Sequence, residues 1–156
     1  EERYARRIAR AISNHRQTQP LTRTSQLAAL IEHAVPTREP GKHPATRSFQ
    51  AIRIHINNEL NELRAFLSEV CELLQGGGRL VVISFHSLED RLVKRFFRAR
   101  AGRPEGPNDS RPQDERVALA DLPFTRPLRP SEEEARRNPR SRSSRLRILI
   151  KKPQSS

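Results

Sequence analysis

Three consecutive glycines followed by a short apolar run constrain this chain more than any other stretch. Gly76-Gly77-Gly78 end whatever precedes them, and residues 80–85 (Leu-Val-Val-Ile-Ser-Phe) are almost wholly apolar but too short for a helix. An apolar run without alternation is typical of a strand that is buried on both faces of a parallel sheet. The stretch therefore predicts such a strand. The polar residues at its carboxyl end lie where open α/β sheets bind ligands.

Helical periodicity precedes this strand. Apolar residues recur at steps of three and four within 1–16, from about 22 to 34, and from 44 to 74. Thr22 or Thr24 is the expected cap of the second helix. In the third, Asn57-Asn58 is the weakest point and predicts a kink or a break. The order helix, glycines, strand is half of a βαβ unit, so a parallel sheet is expected.

Weaker signals follow the strand. Ser87 is the expected cap of a helix that buries Leu88, Leu92 and Phe96. Residues 101–121 are rich in proline and glycine and predict a long loop, for which mobility is an expectation.

The last third of the chain predicts two strands. Residues 124–128 predict an edge strand between prolines, and Ser131 predicts the cap of a short helix. A basic loop at 140–145 leads to a final strand at 145–150, with Leu146, Ile148 and Ile150 on one face.

The charge of the chain limits its partners. Its 30 basic residues, all but four of them arginines, outnumber 18 acidic ones and give a formal net charge of +12. Arginine binds phosphate bidentately, so this excess favours a nucleic acid as partner. The alternative is a solvated surface in an arginine-rich protein. Nothing resembles a signal peptide or a membrane span, and we expect a cytoplasmic location without membrane contact.

Several chemistries are disfavoured. The single cysteine, Cys71, excludes an internal disulfide and is expected to be a small buried hydrophobe. The five histidines lack metal-ligand spacing, so no metal site is predicted. His86 and Ser87 are neighbours that point opposite ways on an extended segment, which argues against a base and nucleophile pair.

Polar residues in the first turns of the third helix are more informative. Arg47, Gln50 and Arg53 follow a three-residue step and share a face close to His43. A helix amino terminus with arginines nearby is suited to phosphate. The equally open alternative is that these arginines pair with acidic side chains elsewhere in the fold.

Long motifs carry a family resemblance over nearly the whole chain, apart from 101–121. They are His43 to Ile54 (HPATRSFQAIRI), Asn57 with Glu59-Leu60, Gly77 to Arg91 (GGRLVVISFHSLEDR), Val93 to Phe96, the opening Glu1 to Ala9, and Asn138 to Ser144. In these motifs the chain resembles the C-terminal part of the ribosomal RNA small-subunit methyltransferase H family, whose members methylate 16S rRNA.

The resemblance implies a fold and a division into domains. The expected fold is α/β, a partial class I (Rossmann-like) S-adenosylmethionine-dependent methyltransferase sheet with part of an inserted all-helical substrate domain. Residues 1–40 would belong to that substrate domain, and 41–156 to the C-terminal half of the methyltransferase domain. Residues 80–85 would be the fifth strand of the sheet, and 124–128 and 145–150 the last two.

The resemblance also implies a reaction. The expected function is in-line transfer of a methyl group to N4 of a cytosine in the 16S rRNA decoding centre. S-adenosyl-L-methionine is the expected methyl donor, with no metal. Its main binding loop is expected upstream of Glu1, so the residues that bind it are unknown, and this fragment alone is expected to be inactive.

The resemblance places candidate site residues on this chain. Ser84 and His86 are pocket-rim candidates, because they follow a central strand. Candidates for contact with RNA or substrate are His43, Arg47, Arg53, Arg91, Lys94, Arg140 and Arg142. The expected partner is 16S rRNA in the small ribosomal subunit, and a homodimer is a further expectation. The alternative to an enzyme is a non-catalytic, basic RNA-binding or ribosome-associated module.

Overall fold

A computed structural model of the chain describes residues 2–153 and divides into two compact units. One unit comprises the residues up to Glu59, and the other begins at Leu60. The predicted boundary after residue 40 concerns the domains of a whole methyltransferase and stays a prediction. None of the helices within 2–153 is both long enough and apolar enough to cross a membrane.

The first unit contains three helices: α1 (Ala5–Thr18), α2 (Thr24–Ala34) and α3 (Thr46–Ile56). Their apolar stripes meet in a small core in which Ile31 is fully buried beside Ile8 and Ala34. The periodicity predicted all three helices. The cap predicted at Thr22 or Thr24 is wrong, because Arg23 occupies that position. Oε1 of Gln26 accepts hydrogen bonds from the N–H groups of Thr22 and Arg23, each at 3.0 Å.

The predicted break in the long third helix is confirmed. The helix ends at Ile56, and α4 (Glu59–Leu73) begins three residues later. Between them Asn58 adopts a left-handed conformation, with φ of 53°. Asparagine tolerates this region better than most residues, and it interrupts the regular helix. α4 then buries Leu67 and Cys71, which confirms that Cys71 is a small core residue.

The second unit contains α4 and all of the strands. Its other elements in chain order are β1 (Arg79–Ser84), α5 (Ser87–Arg100), β2 (Ala120–Asp121), α6 (Glu132–Arg137), a 3₁₀ helix at Pro139–Ser143 and β3 (Arg145–Lys151). The core includes Leu67, Leu80, Val93, Phe97 and Leu149.

The sheet differs from the parallel sheet that the sequence predicted. The strand order is β1-β3-β2, and β3 is antiparallel to both neighbours. β1 and β2 therefore run in the same direction but are separated by β3. The prediction was wrong because the helix that follows β1 does not lead to a strand that pairs with it. The strand that does pair with β1 comes from the far end of the chain.

Burial on both faces of the apolar run is also contradicted. Leu80 and Ser84 are buried on one face, whereas Val81, Ile83 and Phe85 are each about half exposed on the other. The exposed face continues onto β3, where Val81 lies opposite Ile148. Within the described residues, the absence of alternation thus reflects an apolar second face and not two covered faces.

The inward face of α5 is rotated from the predicted one. Val93 and Phe97 are almost fully buried, and Leu92 and Phe96 are only partly covered. The sequence misplaced this face because Asp90, a charged residue, lies on its buried side. The predicted choice of Leu92 and Phe96 followed hydrophobicity alone.

The segment after α5 is more organised than predicted. β2 forms at its end, at 120–121, and the predicted strand at 124–128 is reduced to one bridge between Leu128 and Leu146. Within the loop, Asp109 receives hydrogen bonds from Arg111 and Arg116. These local ion pairs give a proline-rich segment a defined path without an apolar core.

Candidate functional site

The carboxyl end of β1 and the amino end of β3 lie side by side. Ser84 is paired with Arg145 in the antiparallel register, and the 3₁₀ helix at Pro139–Ser143 leads directly into β3. The turn into α5 leaves from the same end of the sheet, because β1 ends there. Because β1 and β3 are paired, the predicted rim residues Ser84 and His86 lie at the same end of the sheet as the basic 3₁₀ helix.

Ser84 is held within the sheet. Its side chain lies on the buried face, only 4% of the residue is exposed, and its hydroxyl donates to the backbone carbonyl of Arg145 at 3.4 Å. The hydroxyl therefore stabilises the junction of the two strands. Its role as a rim residue stays a prediction.

His86, and not Ser87, caps α5. Nδ1 of His86 accepts a hydrogen bond from the N–H of Glu89 at 3.3 Å, and Ser87 is the first helical residue. In return, Oε2 of Glu89 accepts from the N–H of Phe85 at 3.0 Å. These two hydrogen bonds satisfy backbone donors at the helix start. They resemble a capping box, except that the glutamate accepts from the residue before the cap and not from the cap itself. The sequence pointed to Ser87 because serine is the commoner cap.

The second ring nitrogen of His86 is a buried donor. Since Nδ1 accepts, the hydrogen of the neutral ring lies on Nε2. Within residues 2–153, Nε2 has no hydrogen-bond partner. Oε1 of Glu89 lies 3.3 Å away, which is within ion-pair distance but does not give hydrogen-bond geometry. The imidazole is thus fixed by its cap, and its Nε2 is buried without a hydrogen bond inside the described part of the chain.

A buried carboxylate ties α5 to the sheet. Asp90 receives hydrogen bonds from Arg147 at 2.7 Å and from Arg145 at 2.9 Å. Burial alone would raise the pKa of Asp90, but the hydrogen bonds and charges of these arginines outweigh it and hold the pKa below its ordinary value. This cluster was not predicted from the sequence. The available signal was the alternation of Arg145 and Arg147 with apolar residues in β3.

The other basic candidates of the second unit lie on its surface. Arg91 and Lys94 are exposed on α5, and Arg140 and Arg142 are exposed on the 3₁₀ helix before β3. Arg140 and Arg142 have no ion pair with any residue in 2–153. The 3₁₀ helix replaces the predicted basic loop. Contact of these four residues with RNA stays a prediction.

The candidates of the first unit lie around the start of α3. His43 precedes the helix, and its Nδ1 accepts from the N–H of Ala45 at 3.2 Å. Arg47 donates to Oε1 of Glu39 at 2.6 Å, and Arg53 binds both carboxylate oxygens of Glu59. The alternative interpretation, pairing with acidic residues, therefore describes both arginines. Their side chains remain about half exposed, so solvent weakens these pairs.

A cavity of 130 Å³ opens beside this helix start. His43 and Arg47 line it together with Arg3 and Lys42, and Glu2 and Glu39 supply negative charge. The structure thus brings His43 and Arg47 to one cavity in the first unit. Arg53 does not line it.

The geometry defines an α/β protein with exposed basic residues around strand and helix ends. Comparison with known proteins identifies its family. Residues 1–152 match the MraW methylase family, so the chain belongs to that family.

Named relatives agree with this assignment. The "Ribosomal RNA small subunit methyltransferase H" of Coxiella burnetii is 51% identical over 156 residues, which cover 97% of this chain and 49% of the relative. The protein of the same name from Acidithiobacillus ferrooxidans is 56% identical over 148 residues, 95% of this chain and 46% of its own. That from Nitrosococcus oceani is 54% identical over 152 residues, 97% and 48% respectively. The chain spans about half the length of these relatives.

Proposed function

We propose that the complete gene product containing this chain is an S-adenosylmethionine-dependent methyltransferase of 16S rRNA that methylates N4 of a cytosine in the decoding centre. The supporting observation is identity of about half of all positions, along nearly the whole chain, to relatives named ribosomal RNA small subunit methyltransferase H. The net charge of +12 suits a ribosomal RNA substrate.

The reaction sets the requirements on the protein. The amino nitrogen of cytosine is a poor nucleophile, because its lone pair is delocalised into the ring. The base must be taken out of its stack and held so that this nitrogen is correctly oriented. The protein therefore has to supply positioning groups for the base and a basic surface for the surrounding RNA.

We propose that the described residues supply only part of the site for S-adenosylmethionine. One cavity of the second unit, 510 Å³, has Cys71, Arg100 and Lys151 in its lining. Arg100 ends α5, and Lys151 ends β3, so this cavity lies at the amino end of β1, away from Ser84. Cofactors of open α/β sheets bind at the carboxyl ends of strands. We propose that the cofactor loop belongs to the part of the protein that corresponds to the other half of the relatives.

The exposed apolar face of the sheet supports the proposed fold. Val81, Ile83 and Phe85 are each about half exposed, and methyltransferase sheets of class I carry helices on both faces. We propose that this unit is the C-terminal half of such a sheet and that the rest of the protein covers this face.

His86 is the rim residue that the geometry favours. It is fixed by its cap to α5 and has a buried donor, Nε2, without a hydrogen bond in the described part of the chain. A fixed donor at the carboxyl end of β1 is suited to hold an acceptor group of the substrate. We propose that His86 positions the target base.

Substitution of His86 tests its role. In the complete gene product, His86→Ala is expected to lower methyl transfer to small ribosomal subunits about 10- to 100-fold, because both cap and donor are lost. His86→Asn preserves a good helix cap and is expected to restore stability but not the rate. A wild-type rate for His86→Asn would limit His86 to its capping role.

Arg47 is tested against its own ion pair. Arg47→Ala is expected to lower methyl transfer if the arginine contacts RNA, whereas Glu39→Gln removes the same pair and leaves the arginine in place. Equal effects of the two substitutions would remove Arg47 from the site.

Calorimetry with S-adenosylmethionine on the complete gene product should show one binding site. Without binding, a non-catalytic RNA-binding module would be the better description.

A further inference from the structure

A small cavity of the second unit lies between the middle of α5 and the segment that follows β2. Its volume is 110 Å³. Its lining includes four cations, one exposed aromatic ring and one hydroxyl: Lys94, Arg98, Arg103, Arg147, Phe124 and Thr125. None of the described residues that line it is acidic. The side chains that line the cavity therefore carry a net positive charge.

Three of these cations are uncompensated. Arg147 is neutralised by Asp90, but Lys94, Arg98 and Arg103 form no ion pair with any residue between 2 and 153. The Nε of Arg98 donates to the backbone carbonyl of Pro104, which holds the guanidinium in place without neutralising it. Like charges held around one cavity repel each other and attract an anion from solution.

The aromatic ring and the size of the cavity narrow the class of anion. Phe124 is 49% exposed although it lines the cavity, so about half of this residue is accessible to a ligand. A cavity of 110 Å³ is well below the ~300 Å³ of pockets that enclose a drug-sized ligand, and suits a single phosphate group. Cations for phosphates beside an aromatic ring for bases are the recurring elements of single-strand binding sites.

We propose that this cavity binds one nucleotide of single-stranded RNA, with the phosphate among Lys94, Arg98 and Arg103 and the base stacked on Phe124. The hydroxyl of Thr125 is a further donor for a phosphate oxygen. The site rests on the proposed function in that the RNA is the strand that carries the target cytosine. It is separate from the rim at Ser84 and His86, and so would hold nucleotides that flank the target.

Fluorescence anisotropy of the complete gene product with a short, labelled, single-stranded oligoribonucleotide tests the stacking. Phe124→Ala is expected to weaken binding about tenfold, because base stacking is lost. Phe124→Tyr preserves the stacking face and is expected to bind like the wild type. Duplex RNA of the same sequence offers no unpaired base, so its affinity should not respond to Phe124→Ala.

The salt dependence of the same titration tests the phosphate contacts. Lys94→Gln combined with Arg103→Gln is expected to reduce the slope of log affinity against log salt by about 1.4, at about 0.7 for each contact with a single strand. Arg64→Gln is the matched control: it removes an exposed cation of α4 that also has no ion pair within 2–153. Its slope is expected to stay within experimental error of the wild type.

Defined outcomes overturn the proposal. Wild-type affinity in Phe124→Ala, or equal losses for single-stranded and duplex RNA, would exclude stacking. Equal slopes for the double variant and the Arg64 control would exclude a phosphate site at the cavity. Failure of the methyltransferase proposal would be recognised separately. The wild type would then neither bind S-adenosylmethionine nor transfer methyl groups, whereas these comparisons of RNA affinity would be unchanged.

Discussion

Two ion-pair clusters in the second unit each consist of one aspartate and two arginines, but they differ in the sequence separation between these residues. Asp90 joins α5 to Arg145 and Arg147 of β3, more than 50 residues away. Asp109 binds Arg111 and Arg116, which are two and seven residues away. The first cluster fixes tertiary structure, and the second fixes the path of one loop. Ion pairs are therefore informative here only together with their sequence separation and burial.

Removal of the long-range carboxylate should have the largest effect. Asp90→Ala leaves Arg147, whose side chain is 10% exposed, without a counter-charge, and a loss of about 3 kcal/mol in the free energy of unfolding is expected. Urea denaturation of the variant and wild type measures this loss. Glu72→Ala is the matched control, because it removes the exposed partner of Arg100 and should cost less than about 1 kcal/mol. Equal losses in the two variants would refute the structural role of Asp90.

Low pH should remove the contribution of Asp90 to the free energy of unfolding. Because its folded pKa lies below the ordinary value of 3.8, ionised Asp90 stabilises the fold fully above that value. The contribution is lost as the pH falls from there through the lowered pKa. The difference in unfolding free energy between wild type and Asp90→Asn should therefore shrink over this range. A difference that stayed constant down to the lowest accessible pH would show that ionised Asp90 does not stabilise the fold.

Two glycines of the 101–121 segment provide the next comparison. Gly102 has φ of +65°, and a Cβ there would lie 3.2 Å from Ala118, so Gly102→Ala is expected to cost about 1–2 kcal/mol. Gly106 has no positive φ, and the nearest atom to an added Cβ is 4.0 Å away. Gly106→Ala should therefore be close to neutral. Thermal denaturation of both variants measures the contrast, and a neutral Gly102→Ala would show that the segment rearranges freely.

The local cluster should have the smallest effect on global stability. Asp109→Ala removes the acceptor shared by Arg111 and Arg116, so the loop should open while the core remains folded. Hydrogen exchange of residues 103–117 is expected to accelerate, with little change in the urea midpoint. A fall in midpoint as large as that of Asp90→Ala would mean that the two clusters do not differ as described.

These contrasts also explain which parts of the fold the sequence predicted. Regular apolar spacing predicted α1, α2 and the interrupted helix before the glycines, because a helical stripe depends on local periodicity alone. The break at Asn57-Asn58 was predicted from another local property, the low helix propensity of asparagine. The antiparallel sheet was not, since Ser84 and Arg145 are paired across 61 residues and no local pattern encodes such a register.

The candidate site was predicted in outline only. The sequence motifs predicted His86 as a site residue but Ser87 as the helix cap, because histidine is an uncommon cap. Which of the two residues caps the helix depends on the geometry of the turn. Arg145 and Arg147 were missed because burial of an arginine on a strand depends on a partner from another element. The cations around Phe124 likewise come from α5, β3 and the loop after α5, and only the folded chain brings them together.

Mass spectrometry of 16S rRNA from the source organism, with and without the complete gene, tests the proposed methylation directly. We predict that one cytosine of the decoding centre loses an N4-methyl group when the gene is deleted and regains it on complementation. The His86→Asn gene should restore this methyl group poorly. Identical methylation of 16S rRNA in the presence and absence of the gene would contradict the proposed function.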